Sequence, residues 1–203
     1  MRILRFAVVL VIAALVGVAG ASAVVGDTGK DTINGPTAVQ PDGSGAALVA
    51  SAADPNGHQP WAIRVYRSVD GWTCPEAGRT QDGDFGQVDA DGKFRSNSIQ
   101  AAGSCVDLDK APMSVTVNHY PANGLRGARA VVFGVVSPSV KSVSVQLAGR
   151  MRPLALANGA FMAVASESDL EGASVEATMQ DGSAKSYPLA PTDEPATEGP
   201  VGP

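Results

Sequence analysis

The clearest pattern along this chain is an alternation of apolar and polar residues with a period of two. It runs through residues 61–66, 113–118, 142–147 and 173–180. Successive side chains of a strand point to opposite faces, so each run predicts a β-strand with one face on a core and the other in water. Residues 130–136 are instead apolar on both faces, which predicts a strand buried in the middle of a sheet.

Turn-forming dipeptides separate the predicted strands. Asp-Gly or Asn-Gly pairs stand at 70–71, 91–92, 158–159 and 181–182. These residues tolerate the positive φ angles of type I′ turns, so each pair predicts a tight turn. No convincing amphipathic helix is present, although acidic residues within 166–172 favour one short helical turn. Short strands joined by tight turns predict an all-β chain folded as an antiparallel β-sandwich.

The strands fall into two stretches, which allows either one sandwich or two small β units. Residues 46–127 are predicted to form a disulfide-containing β unit and residues 128–190 a second one, with a break at 118–127. The pattern leaves open whether the two share a core. Residues 24–45 are predicted to be a linker because they are rich in Gly, Pro, Asp and Thr. Residues 191–203, rich in proline and acid, are predicted to be a disordered tail.

The N-terminus has the organisation of an export signal. Two arginines precede an uncharged stretch at 6–26, and the small residues Ala21 and Ala23 frame an A-x-A cleavage site. Residues 1–23 are therefore predicted to be a signal peptide that is removed. The alternative is an uncleaved signal anchor, since residues 6–25 are just long enough to cross a bilayer. We expect contact with a membrane only through such an uncleaved leader.

The chain contains two cysteines, Cys74 and Cys105. In the oxidising compartment that an export signal implies, an even pair predicts one disulfide. Closing a loop of about 31 residues stabilises the fold by roughly 3–4 kcal/mol in the chain-entropy account. A metal site would need more ligands at close spacing, and the sequence has no C-x-x-C motif and no nearby pair of histidines.

The charge of the chain excludes one class of partner. The formal net charge is −5, and removal of Arg2 and Arg5 with the leader lowers it to −7. An acidic surface repels phosphate backbones, and no basic cluster offsets that repulsion, so we expect no nucleic-acid binding. No motif for a cofactor is present, and none is expected.

Part of the second stretch carries a resemblance. The chain reads RAVVFGVVSPSVKSVSVQL at 129–147, NGAFMAV at 158–164 and DGSAKSYPL at 181–189. A G-x-V-x-P-x-V-x-x-V strand pair, a later Asn-Gly hairpin and a closing Asp-Gly hairpin resemble exported proteins of unknown function from high-GC Gram-positive bacteria. The resemblance covers about 60 residues and implies a β fold. It implies no activity, so no residue receives a role from it.

The acidic stretch at 82–91 permits a calcium hypothesis. With Gly92 at the sixth position of an EF-hand loop, Asp89 and Asp91 fall at the third and fifth positions. The first and twelfth positions are then Gln87 and Ser98, where carboxylates belong. The favoured interpretation is a hairpin turn at 91–92 with solvated acids and no bound metal.

The two histidines, His58 and His119, are the candidate bases for catalysis. A serine triad also needs a nucleophile and an orienting acid, and no serine stands in a convincing G-x-S-x-G or S-x-x-K context. His58 follows a turn sequence and is predicted to lie in a surface loop. His119 continues the apolar face of 113–117 and is predicted to cap an edge of the core.

Four large aromatic residues of the first stretch allow two interpretations. Trp61, Tyr66, Trp72 and Tyr120 offer rings of the kind that bind sugars or peptides. The favoured prediction is that they pack in the core and against the disulfide.

These features together predict an exported, non-catalytic β-domain protein with a recognition or structural role at the cell envelope. Its partner would be a protein or a glycan there. One alternative is a secreted hydrolase or lyase that uses His58 or His119 with an acid. Another is a membrane-anchored extracytoplasmic sensor or assembly partner, which depends on an uncleaved leader.

Overall fold

The computed structural model describes residues 30–32, 40–89, 91–99, 105–120, 122 and 127–189. These residues form an all-β chain, as predicted. The strands are β1 (Lys30–Thr32), β2 (Pro41–Ala52), β3 (Trp61–Ser68), β4 (Thr73–Gln81), β5 (Asp84–Val88), β6 (Phe94–Ser96), β7 (Met113–Tyr120), β8 (Arg129–Val136), β9 (Val140–Leu147), β10 (Arg150–Leu154), β11 (Ala160–Ala165), β12 (Ser174–Met179) and β13 (Ala184–Pro188). One turn of 3-10 helix, Glu167–Leu170, lies where the sequence predicts a single helical turn.

The strands form three antiparallel sheets that stack as three layers. The central sheet has the order β1-β7-β8-β11. One of its faces packs on the sheet β10-β9-β12-β13, which completes a sandwich. Its other face packs on the sheet β2-β3-β4-β5-β6, here called the third sheet.

Strand β8 carries both cores of the molecule. Ala130 and Val132 pack into the core of the sandwich. Val131 and Phe133, which point the other way, pack into the core beneath the third sheet. Every residue from Ala130 to Val136 is buried. This confirms the prediction of a strand apolar on both faces, because each face meets a separate layer.

The expected break at 118–127 does not separate two independent cores. β7 and β8 are neighbours in the central sheet, with Tyr120 paired to Arg129. Trp61 of the third sheet also packs with Val131 of the central sheet. The stretches 46–127 and 128–190 therefore share a core, a question that the sequence pattern left open.

Part of the predicted linker is strand. β1 and the beginning of β2 lie within residues 24–45, and β1 pairs with β7 at the edge of the central sheet. Sheet pairing uses backbone groups, so a polar stretch rich in glycine can still add a strand to an existing sheet. The predicted signal segment 1–23 and tail 191–203 lie outside the described residues.

Two strands bury the face that the sequence assigns to water. Ser114 and Thr116 of β7 are both 0% exposed, and Asn118 is 6% exposed. Arg64 and Tyr66 of β3 are buried as well. Polar alternation shows only that the two faces of a strand differ, and another layer or a loop can cover the polar one. In β12 the alternation of apolar and polar residues matches the burial, because buried and half-buried residues alternate along the strand.

Two tight hairpin turns escape the sequence analysis. Asp82 and Gly83 join β4 to β5, and Ala148 and Gly149 join β9 to β10, as two-residue links between paired strands. All four residues have positive φ, which defines a type I′ turn. Alanine at the first position of such a turn gives no sequence signal, because this conformation is unfavourable for a residue with a Cβ.

The predicted type I′ geometry is correct at one of the four predicted turns. Asn158 and Gly159 both have positive φ, although they link β10 and β11, which lie in different sheets. At the other three turns the glycine alone has positive φ: Gly71, Gly92 and Gly182. The preceding aspartate stays at negative φ, where a residue with a Cβ is unstrained.

Gly134 lets atoms of β7 and β11, the two neighbours of β8 in the central sheet, lie close to the β8 backbone. A Cβ at this position would lie 1.9 Å from the backbone oxygen of Ser114 and 2.7 Å from Cζ of Phe161. Phe161 is its register partner on β11, so the ring lies over the bare glycine backbone. The ring then belongs to the core of the sandwich and is fully buried.

We expect Gly134→Ala to lower the free energy of unfolding by about 3 kcal/mol, because the new methyl group overlaps backbone that cannot move independently. The measurement is urea unfolding followed by tryptophan fluorescence. Gly127→Ala is the control: a Cβ there meets only the side chain of Arg129, at 3.3 Å. Equal stability of the two variants would contradict the close approach.

Candidate functional site

A buried ion pair joins the loop after β2 to the third sheet. Nη1 of Arg79 lies 2.6 Å from Oδ2 of Asp54, and both side chains are at least nine-tenths buried. Nε1 of Trp61 donates to the same carboxylate oxygen at 3.0 Å, and the backbone N–H of Asn56 donates to Oδ1 at 2.8 Å. Cζ of Arg79 lies 3.4 Å from the centroid of the Trp61 ring.

The surroundings of Asp54 determine its ionisation. Burial acts to raise the pKa of this carboxyl group. The hydrogen bonds from Asn56, Arg79 and Trp61, together with the positive charge of Arg79, outweigh burial and hold the pKa below the ordinary 3.8. Asp54 is therefore a carboxylate whose oxygens already have partners, an arrangement that suits positioning rather than proton transfer.

The same cluster reaches the central sheet through an aromatic contact. The ring centroids of Trp61 and Tyr120 are 4.6 Å apart with tilted planes. Nδ2 of Asn118 donates to the hydroxyl group of Tyr120 at 3.4 Å. The favoured prediction for these two aromatic residues, packing within the fold, is confirmed because Trp61 is fully buried and Tyr120 packs against the same core.

The outer face of the third sheet carries the predicted disulfide. Cys74 of β4 and Cys105 form the bond, with their Cα atoms 4.1 Å apart. Both are buried with Tyr66, and Trp72 and Ile99 pack around them. The predicted pairing and the packing of aromatic residues on the disulfide are confirmed.

Buried Arg64 holds the segment before Cys105 on this outer face. Its guanidinium donates to the backbone oxygens of Asn97 and Ser98 and to Oε2 of Glu76, each at 2.8 Å. Cζ of Arg64 also lies 4.3 Å from the centroid of the Phe85 ring. These contacts fix backbone and leave little of the guanidinium for a ligand.

His119 has a carboxylate partner. Its Nδ1 lies 2.8 Å from Oε2 of Glu167, at the start of the 3-10 helix. Its Nε2 is buried and makes no hydrogen bond within the described part of the chain. The arrangement supplies an acid and a base, but no hydroxyl group of the described residues hydrogen-bonds to the imidazole. His58 is half-buried in the loop between β2 and β3.

The residues of the calcium hypothesis are paired with basic side chains. Asp89 forms an ion pair with Arg95, and Oδ2 of Asp91 lies 3.3 Å from Nζ of Lys93. Residues 91–92 lie in the turn between β5 and β6, as the favoured interpretation expects. Among the described residues, no three His, Cys, Asp or Glu side chains are placed to hold a metal ion.

Two clefts flank the loop between β10 and β11. The first, here called the edge cleft, has a volume of about 760 Å³ and runs along Leu48, Val49 and Ala50 of the edge strand β2. Val49 sits at a break in the register between β2 and β3. Leu48 is one of the few large apolar side chains left exposed on the described surface.

The second cleft, here called the loop cleft, has a volume of about 510 Å³ and lies between the third sheet and the loops of the sandwich. Mostly apolar side chains line it. Its polar lining comes from Arg67, Thr73, Ser137 and Asn158. A mainly apolar cleft with a few convergent polar groups at the junction of two layers is the usual form of a small-ligand site.

The sequence analysis missed the residues of both the ion pair and the loop cleft. No motif links Asp54 to Arg79, because the two are brought together only when β3 and β4 pair. One part of the loop cleft could be predicted from the sequence. The predicted turn at 158–159 lies on it, and turns at one end of a β-sandwich often form binding sites.

Comparisons with protein-family models, with curated proteins and with solved structures found no match to this chain. Within the described residues, no helix has the length and apolar character needed to cross a membrane. The predicted cleavage site at Ala21 and Ala23 lies outside those residues. We therefore infer a function from the disulfide, the buried ion pair and the two clefts.

We expect Asp54→Asn to lower the free energy of unfolding at neutral pH by about 3 kcal/mol, because it removes the carboxylate that pairs with the buried charge of Arg79. The pKa of Asp54 is lower in the folded state than in the unfolded state. The ionised carboxylate therefore stabilises the fold fully above the pKa of the unfolded state, and this stabilisation is lost as the pH falls through the pKa of the folded state. Urea unfolding should therefore show that the difference in the free energy of unfolding between wild type and variant becomes smaller as the pH is lowered from about 5 to about 2.

The control for this measurement is Asp82→Asn, at an exposed turn. Its effect should stay within about 0.5 kcal/mol over the same range. If the difference in the free energy of unfolding between wild type and Asp54→Asn did not change with pH, that result would contradict a stabilising role of the ionised carboxylate.

Proposed function

We propose that this protein is an exported, non-catalytic recognition domain that works at the cell envelope, where its partner is a protein or a glycan. The observation that carries the proposal is the buried disulfide between Cys74 and Cys105. Disulfides form and persist in oxidising compartments and are rare in a reducing cytosol. An A-x-A sequence after an uncharged apolar leader supports the same destination.

The shape of the described surface supports recognition. The edge cleft and the loop cleft both lie beside the loop between β10 and β11, so this loop contributes to two concave surfaces. Loops held by rigid sheets commonly carry binding sites. The carboxylate of Asp54 accepts hydrogen bonds from Trp61 and Arg79, so this cluster helps to hold the third sheet that forms part of both clefts.

The hydrolase alternative depends on His119 and Glu167. Their contact would orient the imidazole in the way that an acid orients the base of a triad. A general base must also reach the proton that it removes, and Nε2 of His119 is buried. Neither cleft is lined by a histidine. The alternative of a membrane-anchored sensor requires that the leader is retained. Like the favoured proposal, it places the β domain outside the cytoplasm.

Intact mass of the protein from fractionated cells, with and without thiol alkylation, tests the proposal. We expect a mass that begins at Val24, found outside the cytoplasm, and two cysteines that resist alkylation until they are reduced. The physical reason is that a buried disulfide has no free thiol to react.

The other outcomes of this experiment are equally informative. A full-length chain in the membrane fraction would support the anchored alternative instead. Two alkylatable thiols in the cytoplasmic fraction would overturn the export proposal.

A further inference from the structure

We propose that the loop cleft binds a small apolar molecule that carries a single carboxylate. This inference rests on the proposed recognition role and gives that role a chemical class of ligand. It depends on the apolar walls of the cleft, on a cation at its mouth and on a buried hydroxyl group that lacks a partner.

The walls of the loop cleft are aliphatic and come from separate parts of the fold. Val65 belongs to the third sheet, and Leu108 follows the disulfide. Val135 and Val140 flank the loop between β8 and β9, and Leu156 belongs to the loop between β10 and β11. The volume of about 510 Å³ falls within the usual range for small-ligand clefts. A hydrocarbon group that enters this space loses contact with water, which is favourable.

Arg67 provides the charge that selects an anion. It is the one charged residue among those described on the lining, and it is exposed at the end of β3. Nη1 donates to the backbone oxygen of Gly71 at 3.0 Å. A guanidinium has five N–H donors, so most of its donors stay available to a ligand. Asp42 of β2 also feels this charge, but it does not line the cleft.

Thr73 stands directly opposite Arg67 in the pairing of β3 and β4. Opposed side chains on one face of a sheet have Cβ atoms about 5 Å apart, so both can reach one small group. Thr73 is 5% exposed, and its Oγ1 makes no hydrogen bond within the described part of the chain. Thr73 also lines the loop cleft, so its hydroxyl group is the second polar group that we expect to contact a carboxylate held by Arg67.

The charge count in the cleft favours a carboxylate over a phosphate group. One guanidinium balances one negative charge, and a planar carboxylate matches its paired N–H groups. A phosphate group with two charges would leave one uncompensated beside aliphatic walls, which is unfavourable. The ligand therefore combines one carboxylate with an apolar body.

The test titrates the disulfide-bonded protein with octanoate and follows backbone amide signals by nuclear magnetic resonance. We expect the shifts to concentrate on Arg67, Thr73, Ser137 and Asn158. Octanol and octylamine have the same chain without a negative charge, so they should bind about tenfold more weakly or not at all.

Variants separate the two polar contacts. Arg67→Gln should weaken octanoate binding about tenfold, whereas Arg152→Gln, an exposed arginine of β10 outside the cleft, should not change it. Thr73→Val should raise the melting temperature, because it removes a buried hydroxyl group without a partner, yet weaken octanoate binding about tenfold. If Thr73 had only a structural role, Thr73→Val would raise the melting temperature without weakening octanoate binding.

Three outcomes would overturn the inference: octanol binding as tightly as octanoate, equal affinities of the wild type and Arg67→Gln, or shifts away from the cleft. Unchanged affinity of Thr73→Val would overturn the role given to Thr73. Each of these results would leave the evidence for export and the disulfide intact. Reduced protein in the cytoplasm would instead contradict the proposed function, whatever octanoate does.

Discussion

The structure depends on the burial of both faces of the central sheet. β8 alternates its side chains between two cores, so Val132 serves the sandwich while Phe133 serves the contact with the third sheet. Gly134 occupies a tight position within this sheet, because a Cβ there would overlap the backbone oxygen of Ser114 and the ring of Phe161. Removing either outer layer would expose one whole apolar face to water, so the three layers are expected to fold as one cooperative unit.

The interface between the central sheet and the third sheet is more polar than the interface within the sandwich. The ion pair between Asp54 and Arg79 is buried, shares its carboxylate with Trp61 and reaches the central sheet through Tyr120. Asp54, Arg79 and Trp61 all belong to the third sheet or to the loop after β2, so their hydrogen bonds fix the geometry within that layer. The ring of Trp61, held in this way, makes the contact with Tyr120 of the central sheet.

The position of the loop cleft follows from the packing of the third sheet against the sandwich. One wall belongs to the third sheet and the other to the loops of the sandwich, so the distance between them is set by how the layers pack. Arg67 and Thr73 lie at one end of the third sheet, and the disulfide of Cys74 is adjacent to Thr73 in the chain. A covalent bond and a buried ion pair thus hold the scaffold on which the cleft is built.

The sequence by itself determined the all-β class, the strands with clear periodicity, the positions of four turns, the cysteine pair and the two-faced burial of β8, because these follow from local periodicity and residue chemistry. It could not determine which polar faces meet water. Ser114 and Thr116 alternate like surface residues, yet both are fully buried in the folded protein. Nor could it bring Arg67 opposite Thr73, or Asp54 against Arg79. Such contacts depend on strand pairing and layer packing between residues distant in the chain, and a local pattern carries no information about those distances.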